Sequence, residues 1–144
     1  MEYWEDLGTD LASGLLYGVV GIALLALGFL VIDMLTPGKL GRQLTVDRNS
    51  NAGIIAAAGL LAIGIIVTSA IIASEGSLAK GLGQAGGFGL IGILLLGIAF
   101  MVIDVITPGK LGDSLMGEEG HEPMVLVMAA ALLSVGGIVA AAIS

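Results

Sequence analysis

The chain has 144 residues, of which 57% are apolar and only 12% charged, and its formal net charge is −7. Soluble globular domains carry about 25% charged residues, so this composition excludes a soluble enzyme and a disordered acidic tail. Five basic residues are too few for a nucleic-acid-binding surface. The absence of cysteine and the single histidine exclude disulfides, thiolate chemistry and a histidine-based metal cluster.

Four long stretches of the chain contain no charged residue. Each is long enough to cross a hydrocarbon core of ~30 Å as a helix, which takes ~20 residues. The stretches predict transmembrane helices over about 11–35, 51–74, 83–106 and 123–144. The N-terminus, with Glu2 and Glu5, is acidic rather than basic like a secretory signal, so the first helix is expected to be retained.

An internal repeat divides the chain into two units, residues 1–76 and 77–144. The segment 29–44 aligns with 100–115 at an offset of 71, with 11 of 16 positions identical, and the offset becomes 72 downstream. Each unit holds two crossings and returns to the side on which it began. We therefore expect an all-α membrane protein whose four transmembrane helices form two tandem, parallel-oriented helical hairpins. A pseudo-two-fold axis along the membrane normal would relate them.

Small residues recur along the first and third predicted helices. They are Gly14, Gly18, Gly21 and Gly28 in the first, and Ala85, Gly89, Gly92 and Ala99 in the third. Such spacing lets helix backbones approach closely in lipid. Helix packing is therefore assigned to Gly18, Gly21, Gly89 and Gly92. Two interpretations stay open: packing within one chain, and an additional seam between copies in a homo-oligomer.

A polar motif follows the first helix of each unit. It comprises Asp33, Thr36, Pro37, Gly38 and Lys39, and again Asp104, Thr107, Pro108, Gly109 and Lys110. An aspartate at a helix C-terminus meets the negative end of the helix dipole, which is unfavourable by about 0.3–1 kcal/mol. In one interpretation each aspartate pairs with the lysine six residues on, as a structural plug. In the other, Asp33 and Asp104 together form a cation or proton site, because ionisable residues at membrane depth are functional candidates.

The basic residues predict the orientation of the chain in the membrane. The two turns inside the predicted hairpins hold Lys39, Arg42, Arg48 and Lys110, and the opposite side holds Lys80 alone. Lysine and arginine accumulate on the cytoplasmic side of membrane proteins. We therefore expect cytoplasmic turns, with both termini outside.

The two turn motifs also carry a family resemblance. The segments 31–40 and 102–111, with Asn49 and Asn51 before the second helix, resemble the bacterial and archaeal DUF350 family, also called UPF0719 inner-membrane proteins. The resemblance covers nearly the whole chain as two tandem units, although the second loop lacks the asparagine pair. It implies a multi-pass protein of the cell inner membrane and brings no activity with it. The family's genes often neighbour those of phage-shock-type membrane-stress proteins or polyamine-synthesis proteins, which implies an accessory role.

Two functions from different classes follow from these features. The first is a structural or accessory subunit of a membrane-associated, stress-response type system. Its partners would be the lipid bilayer, further copies of itself and other membrane-stress proteins. The second is a small channel or carrier for protons, cations or small amines that uses Asp33 and Asp104. The second and fourth helices have no carboxylate in mid-membrane, which argues against a proteolipid rotor. We expect no enzyme activity, no catalytic residue, no cofactor and no metal.

Overall fold

The computed structural model describes residues 2–35, 50–106 and 123–144, and nearly all of them are helical. Helix α1 spans Glu2–Leu35, α2 spans Ser50–Ala73, α3 spans Leu78–Ile106 and α4 spans Pro123–Ile143. All four are long and apolar enough to cross a membrane. The predicted fold class, an all-α protein with four transmembrane helices, is therefore confirmed.

Helix α1 begins well before the predicted span, at Glu2 rather than near residue 11. Its 34 residues correspond to about 51 Å, against a hydrocarbon core of ~30 Å. Glu2 and Glu5 lie in its first turn, where carboxylates interact favourably with the positive end of the helix dipole. Tyr3 and Trp4 are exposed and stack edge to face, with ring centroids 5.3 Å apart. The acidic start of the chain is thus a helical extension of the first span.

A tight turn connects α2 to α3. The Ser74 hydroxyl donates to the carbonyl oxygen of Ile71 at 2.6 Å, and the Ser74 N–H donates to the same oxygen at 3.2 Å, so both bonds close the last turn of α2. Gly76 has a φ of 88°, which glycine adopts without steric cost. The Ser77 hydroxyl accepts the N–H of Lys80 at 3.4 Å and caps the start of α3. The turn therefore holds α3 directly against α2.

Helix α2 lies at the centre of the bundle. It packs most extensively against α4 and also contacts α1 and α3, while α3 contacts α1 and α4 in turn. The largest fully buried side chains are apolar apart from Asn51, and Ile55, Ile63 and Ile66 of α2 and Leu132 of α4 are all 0% exposed. In lipid, such helices associate through close van der Waals packing rather than through release of water.

The helices of each unit pack against each other in the same register. A Cβ built on Gly21 would lie 3.5 Å from Cγ1 of Val67, and one built on Gly92 would lie 3.5 Å from Cγ1 of Val139. The second neighbours correspond as well, with Ile71 at 3.7 Å in the first unit and Ile143 at 3.4 Å in the second. The repeat seen in the sequence thus extends to the contacts between paired helices.

The predicted pseudo-two-fold relation between the units is wrong for this chain. A two-fold axis would repeat the contact of α2 with α3 as a contact of α1 with α4, and the described residues of these two helices make none comparable. Gly92 also lies against Ile66 of the first unit, whereas a Cβ on Gly21 would meet only its own hairpin. The reason is the tight turn, which fixes α3 beside α2 while no short connection draws α4 to α1. The second unit is stacked beside the first in the same orientation, rather than related to it by a two-fold axis.

Candidate functional site

The two aspartates lie in the last turns of α1 and α3. Asp33 and Asp104 are both half-buried, and neither helix has a basic residue in its last turn. The remaining motif positions, 36–39 and 107–110, lie outside the residues that the structure describes. Pairing of the aspartates with Lys39 and Lys110 therefore stays a prediction.

The packing of α1 on α3 determines where the aspartates stand relative to each other. Three close contacts define the register: Gly81 with Tyr17, Gly89 with Leu24, and Gly97 with Val31. The helices are therefore parallel, and both aspartates are at the same end of the bundle. Gly97 also contacts Leu35, so the contacts join residues 62 to 66 positions apart, whereas Asp33 and Asp104 are 71 apart. Asp104 consequently lies about 8–14 Å further along the helix direction, at 1.5 Å per residue.

This stagger bears on whether the aspartates form one site. It exceeds the ~4–6 Å within which two charged groups interact strongly. The packing of α1 and α3 therefore favours two separate carboxylates over a pair that shares a proton or a cation.

Asn51 is a buried polar residue at the same end of the bundle. It lies in the first turn of α2, which runs antiparallel to α1, and it is 1% exposed. Buried amides are retained when their hydrogen bonds are made, and Asn51, Asp33 and Asp104 each have a partner. The sequence pointed to Asn51 only through the family pattern. The residue directly follows the polar residues Asn49 and Ser50, so nothing in the local sequence set it apart.

A second polar cluster lies at the opposite end of the bundle. The Ser74 and Tyr17 hydroxyls are hydrogen-bonded to each other at 3.1 Å, and Tyr17 also lies against the backbone of Gly81. Nearby, the Glu75 N–H donates to Oε1 of Gln84 at 2.7 Å. Sequence reasoning missed this cluster, although a tyrosine inside an otherwise apolar span was a usable signal. It joins α1, the turn and the start of α3.

The structure places the four predicted packing glycines in different surroundings. A Cβ on Gly89 would lie 2.5 Å from Cδ1 of Leu24, and Gly92 lies directly against Ile66, so both are in close helix contacts. Gly21 has ordinary van der Waals neighbours, and a Cβ on Gly18 would meet nothing within 4 Å. Within one chain Gly18 therefore makes no close helix contact, and its assignment to helix packing stays a prediction. Gly18 lies on the face of α1 that points away from α2 and α3.

Other close approaches involve glycines that the sequence did not single out for packing. A Cβ on Gly28 would lie 2.5 Å from Cδ1 of Ile63, and one on Gly136 would lie 2.7 Å from Cβ of Ala62. Gly59 is in close contact with Ile32. Spacing along one helix does not reveal these contacts, because each depends on the side chain that faces the glycine.

The cavities among the described residues are apolar grooves on the outside of the bundle. One, of about 520 Å³, runs along α1 and α2 and is lined by Leu25, Leu60, Leu61, Gly64, Ile65, Thr68 and Ser69. Another, of about 320 Å³, runs between α1 and α3. The Thr68 hydroxyl donates to the carbonyl oxygen of Gly64 at 2.7 Å, inside its own helix. Within the described ranges, no group of three histidine, aspartate or glutamate residues could hold a metal ion.

Comparison with known proteins decides the family. The chain matches the family described as Domain of Unknown Function (DUF350) over residues 6–143. It belongs to this family. A UPF0719 transmembrane protein of Mycolicibacterium paratuberculosis is 38% identical over 130 residues, which cover 90% of this chain and 85% of that protein. UPF0719 transmembrane proteins of Mycobacterium bovis and Mycobacterium tuberculosis are 38% identical over 147 residues, covering 96% of both chains.

No solved structure matches the chain. The resemblance predicted from the two turn motifs is confirmed by the family match and by the UPF0719 relatives. Together with the four apolar helices, these findings make the chain a multi-pass transmembrane protein of the DUF350 family.

Proposed function

We propose that the protein is a structural, non-catalytic subunit of the cell inner membrane. It would serve a membrane-associated, stress-response type system, with other membrane-stress proteins as partners. The observation that carries the proposal is the closed aliphatic centre of the bundle. Ile63 and Ile66 of α2 and Leu132 of α4 are 0% exposed, so aliphatic side chains fill the space between these helices. A bundle of this kind supports a scaffold better than a passage.

The hydroxyl groups inside the spans support the same proposal. The Thr68 hydroxyl donates to the carbonyl oxygen of Gly64, and the Ser134 hydroxyl donates to that of Ala130 at 2.8 Å. Both bonds stay within one helix, as is usual for serine and threonine in apolar helices. These side chains therefore offer neither a ligand set for an ion nor a chain of groups for proton transfer.

A second candidate function is a small channel or carrier for protons, cations or small amines. The observation that favours it is the position of Asp33 and Asp104 at one end of two adjacent parallel helices, where both are half-buried. The groove between these helices is lined by aliphatic and methionine side chains and glycine, such as Leu27 and Met101, and the aspartates are staggered. We therefore rank this candidate second.

A flux assay separates the two candidates. Purified protein is reconstituted into vesicles with a trapped pH indicator, and proton and potassium flux is recorded beside empty vesicles. We expect no flux above the empty vesicles, because the described centre offers no polar path. Flux that disappears in the Asp33→Asn, Asp104→Asn double variant would establish the channel instead.

A complementation experiment tests the structural role directly. A strain that lacks the gene is challenged with a membrane-permeabilising agent, and plasmid-borne variants are compared at equal membrane abundance. We expect the wild type and the double Asn variant to restore growth equally. Gly136→Leu is the matched failure control, because a side chain there would collide with the backbone of Ala62, whose Cα would lie 2.8 Å from the new Cβ. Loss of complementation by the double Asn variant would overturn the proposal.

A further inference from the structure

The two units of this chain pack against each other through two different surfaces. We call the side of a unit that carries its packing glycines the front, and the side against which the glycines of a neighbouring unit pack the back. In this chain the back of the first unit covers the front of the second unit. Three contacts join the front of the second unit to the back of the first: Gly89 on Leu24, Gly92 on Ile66, and Gly136 on Ala62. All three are close approaches that a Cβ at the glycine would disturb.

The front of the first unit carries the same glycines and has nothing on it. The equivalent positions are Gly18, Gly21 and Gly64. A Cβ at Gly18 or Gly64 would meet no atom within 4 Å, and one at Gly21 would meet only its own hairpin. A surface that packs tightly in the second unit is therefore open in the first.

The back of the second unit is open in the corresponding way. The equivalents of Leu24, Ile66 and Ala62 are Leu95, Ile138 and Ser134. Leu95 is 42% exposed and Ile138 is 68% exposed, and Ser134 is exposed as well. One molecule thus exposes the front of its first unit and the back of its second unit. These two surfaces are equivalent to the two sides of the interface between its units.

The groove along α1 and α2 has the position that a neighbouring helix would occupy. It is lined by Leu25, Gly64 and Thr68, among other residues. Their equivalents in the second unit are Leu96, Gly136 and Ala140, and all three are buried. In the second unit this position is filled by α2 of the first unit. A helix that makes the same contacts as α2 would therefore fit the groove.

We propose that a second copy of this chain docks head to tail, with the back of its second unit on the front of the first unit. The inter-unit interface would then be repeated between molecules. Gly18 would contact Leu95 of the partner subunit, Gly21 would contact Ile138 of the partner subunit, and Gly64 would contact Ser134 of the partner subunit. The inference does not depend on the proposed accessory role.

The physical argument for a second copy is the same as for any stacked repeat. A repeat buries its faces by stacking on its neighbours, and the terminal faces stay open unless something caps them. An interface between different surfaces of identical molecules closes into a ring when its rotation permits and otherwise extends. In lipid, glycine faces gain van der Waals contact mainly from another helix that approaches closely. Both free surfaces here are apolar enough to remain at membrane depth.

Cysteine cross-linking in membranes tests the arrangement. The chain has no cysteine, so engineered thiols report without background. Two differently tagged copies are co-expressed, one with Gly64→Cys and the other with Ser134→Cys, and then oxidised. We expect a disulfide-linked species that carries both tags, because the predicted interface brings these positions together. Its yield should exceed that of the control pairs on the order of tenfold, since a disulfide requires Cβ atoms ~3.5–4.5 Å apart.

Two sets of controls make the result specific. In the first, both copies carry Gly64→Cys, or both carry Ser134→Cys, and a symmetric like-with-like dimer would cross-link these instead. In the second, Gly64→Cys is paired with Val127→Cys, a position on α4 that is 60% exposed and lies about 10 Å from Ser134 along the helix. Equal yields for the Ser134 and Val127 pairs, or cross-linking only of like with like, would overturn the proposal.

A mass measurement provides an independent test. Native mass spectrometry from nanodiscs should give a multiple of the 14.4 kDa chain mass for the wild type. Gly64→Leu should reduce it to one chain while the helical content and thermal unfolding of the single chain stay unchanged, because the new Cβ would meet nothing in its own chain within 4 Å. A single-chain mass for the wild type, or an unchanged multiple for Gly64→Leu, would contradict the proposal.

Discussion

At the scale of single residues, Tyr17 connects three parts of the bundle. Its hydroxyl is hydrogen-bonded to the hydroxyl of Ser74 at the end of α2 and rests against Gly81 at the start of α3. A tyrosine hydroxyl that is partly buried, as this one is, usually has such a partner. A Cβ at position 81 would overlap the hydroxyl, so a larger residue there requires the Tyr17 side chain to shift. The tyrosine and the glycine therefore depend on each other.

This dependence gives a testable prediction. Gly81→Ala should destabilise the protein by about 1–3 kcal/mol, the usual cost of overpacking. Tyr17→Phe removes the hydroxyl and should lessen the cost of Gly81→Ala in the same chain, although it gives up the bond to Ser74. Thermal unfolding of the four combinations in detergent forms a double-mutant cycle. Equal costs of Gly81→Ala in both backgrounds would show that the hydroxyl is not what excludes a larger residue.

Individual contacts of this kind were only partly predictable from the sequence. Gly89 and Gly92 lie in close contacts, but Gly18, the position equivalent to Gly89 in the first unit, lies open. The difference comes from the neighbouring helix, which small-residue spacing does not identify. Tyr17 was visible as a polar residue in an apolar run, yet its contacts with Ser74 and Gly81 depend on how the helices pack.

At the scale of elements, the two units place different pairs of residues at one equivalent position between their helices. In the first unit Gly28 of α1 faces Ile63 of α2, and a Cβ on the glycine would lie 2.5 Å from the isoleucine Cδ1. The equivalent positions in the second unit hold Ala99 and Val135. The glycine gains a methyl group where the isoleucine loses one carbon, so the volume of the pair is conserved.

The exchange predicts a rescue. Gly28→Ala alone should lower the free energy of unfolding by about 1–3 kcal/mol, because it overpacks the contact with Ile63. Ile63→Val alone should cost about 0.5–1.5 kcal/mol through the cavity it leaves. The double variant converts the first pair into the second and should lie within about 1.5 kcal/mol of the wild type, as volume-conserving changes usually do. Chemical or thermal unfolding in detergent measures all three; an additive double variant would contradict the compensation.

The four helices themselves were predictable because crossing a membrane is a property of some twenty consecutive residues. The predicted starts of α2 and α4 differ from the observed ones by at most one residue, since charged or polar segments adjoin them. The start of α1 was missed by nine residues, because helical structure continues beyond the apolar span into an acidic segment. The hydropathy of a sequence indicates which residues lie in lipid. It does not mark the end of a helix, because a helix can continue beyond the apolar span.

At the scale of the whole molecule, the duplicated sequence does not produce a symmetric molecule. The two pairs of helices share a register, as the neighbours of Gly21 and Gly92 show. The tight turn at Gly76 then places the second unit beside α2 rather than across a two-fold axis. The sequence contains the repeat, but the relation between the units depends on which helix faces the turn brings together. A row with two open ends is the consequence.

Orientation in the membrane is the last property of the whole molecule that the sequence predicts. The segments that follow α1 and α3 hold four of the five basic residues, and the opposite side holds Lys80 alone. Basic residues near the spans set the orientation, whereas carboxylates contribute little. The acidic helical extension of α1, with Glu2 and Glu5, therefore does not oppose an outside N-terminus. The segment 36–49 should then be cytoplasmic and Ser144 should lie outside.

Reporter fusions test this orientation directly. Alkaline phosphatase, which is active only outside the cytoplasm, should be active when fused after Ser144 and inactive when inserted after Gln43. A fluorescent protein that folds only in the cytoplasm should give the reverse pattern at the same two sites. Replacing Lys39, Arg42 and Arg48 together by glutamine should weaken the preference, because it removes three of the four charges that distinguish the two sides. Phosphatase activity after Gln43 together with fluorescence after Ser144 would reverse the assignment. Head-to-tail docking would still hold in that case, because it requires only that neighbouring copies share one orientation.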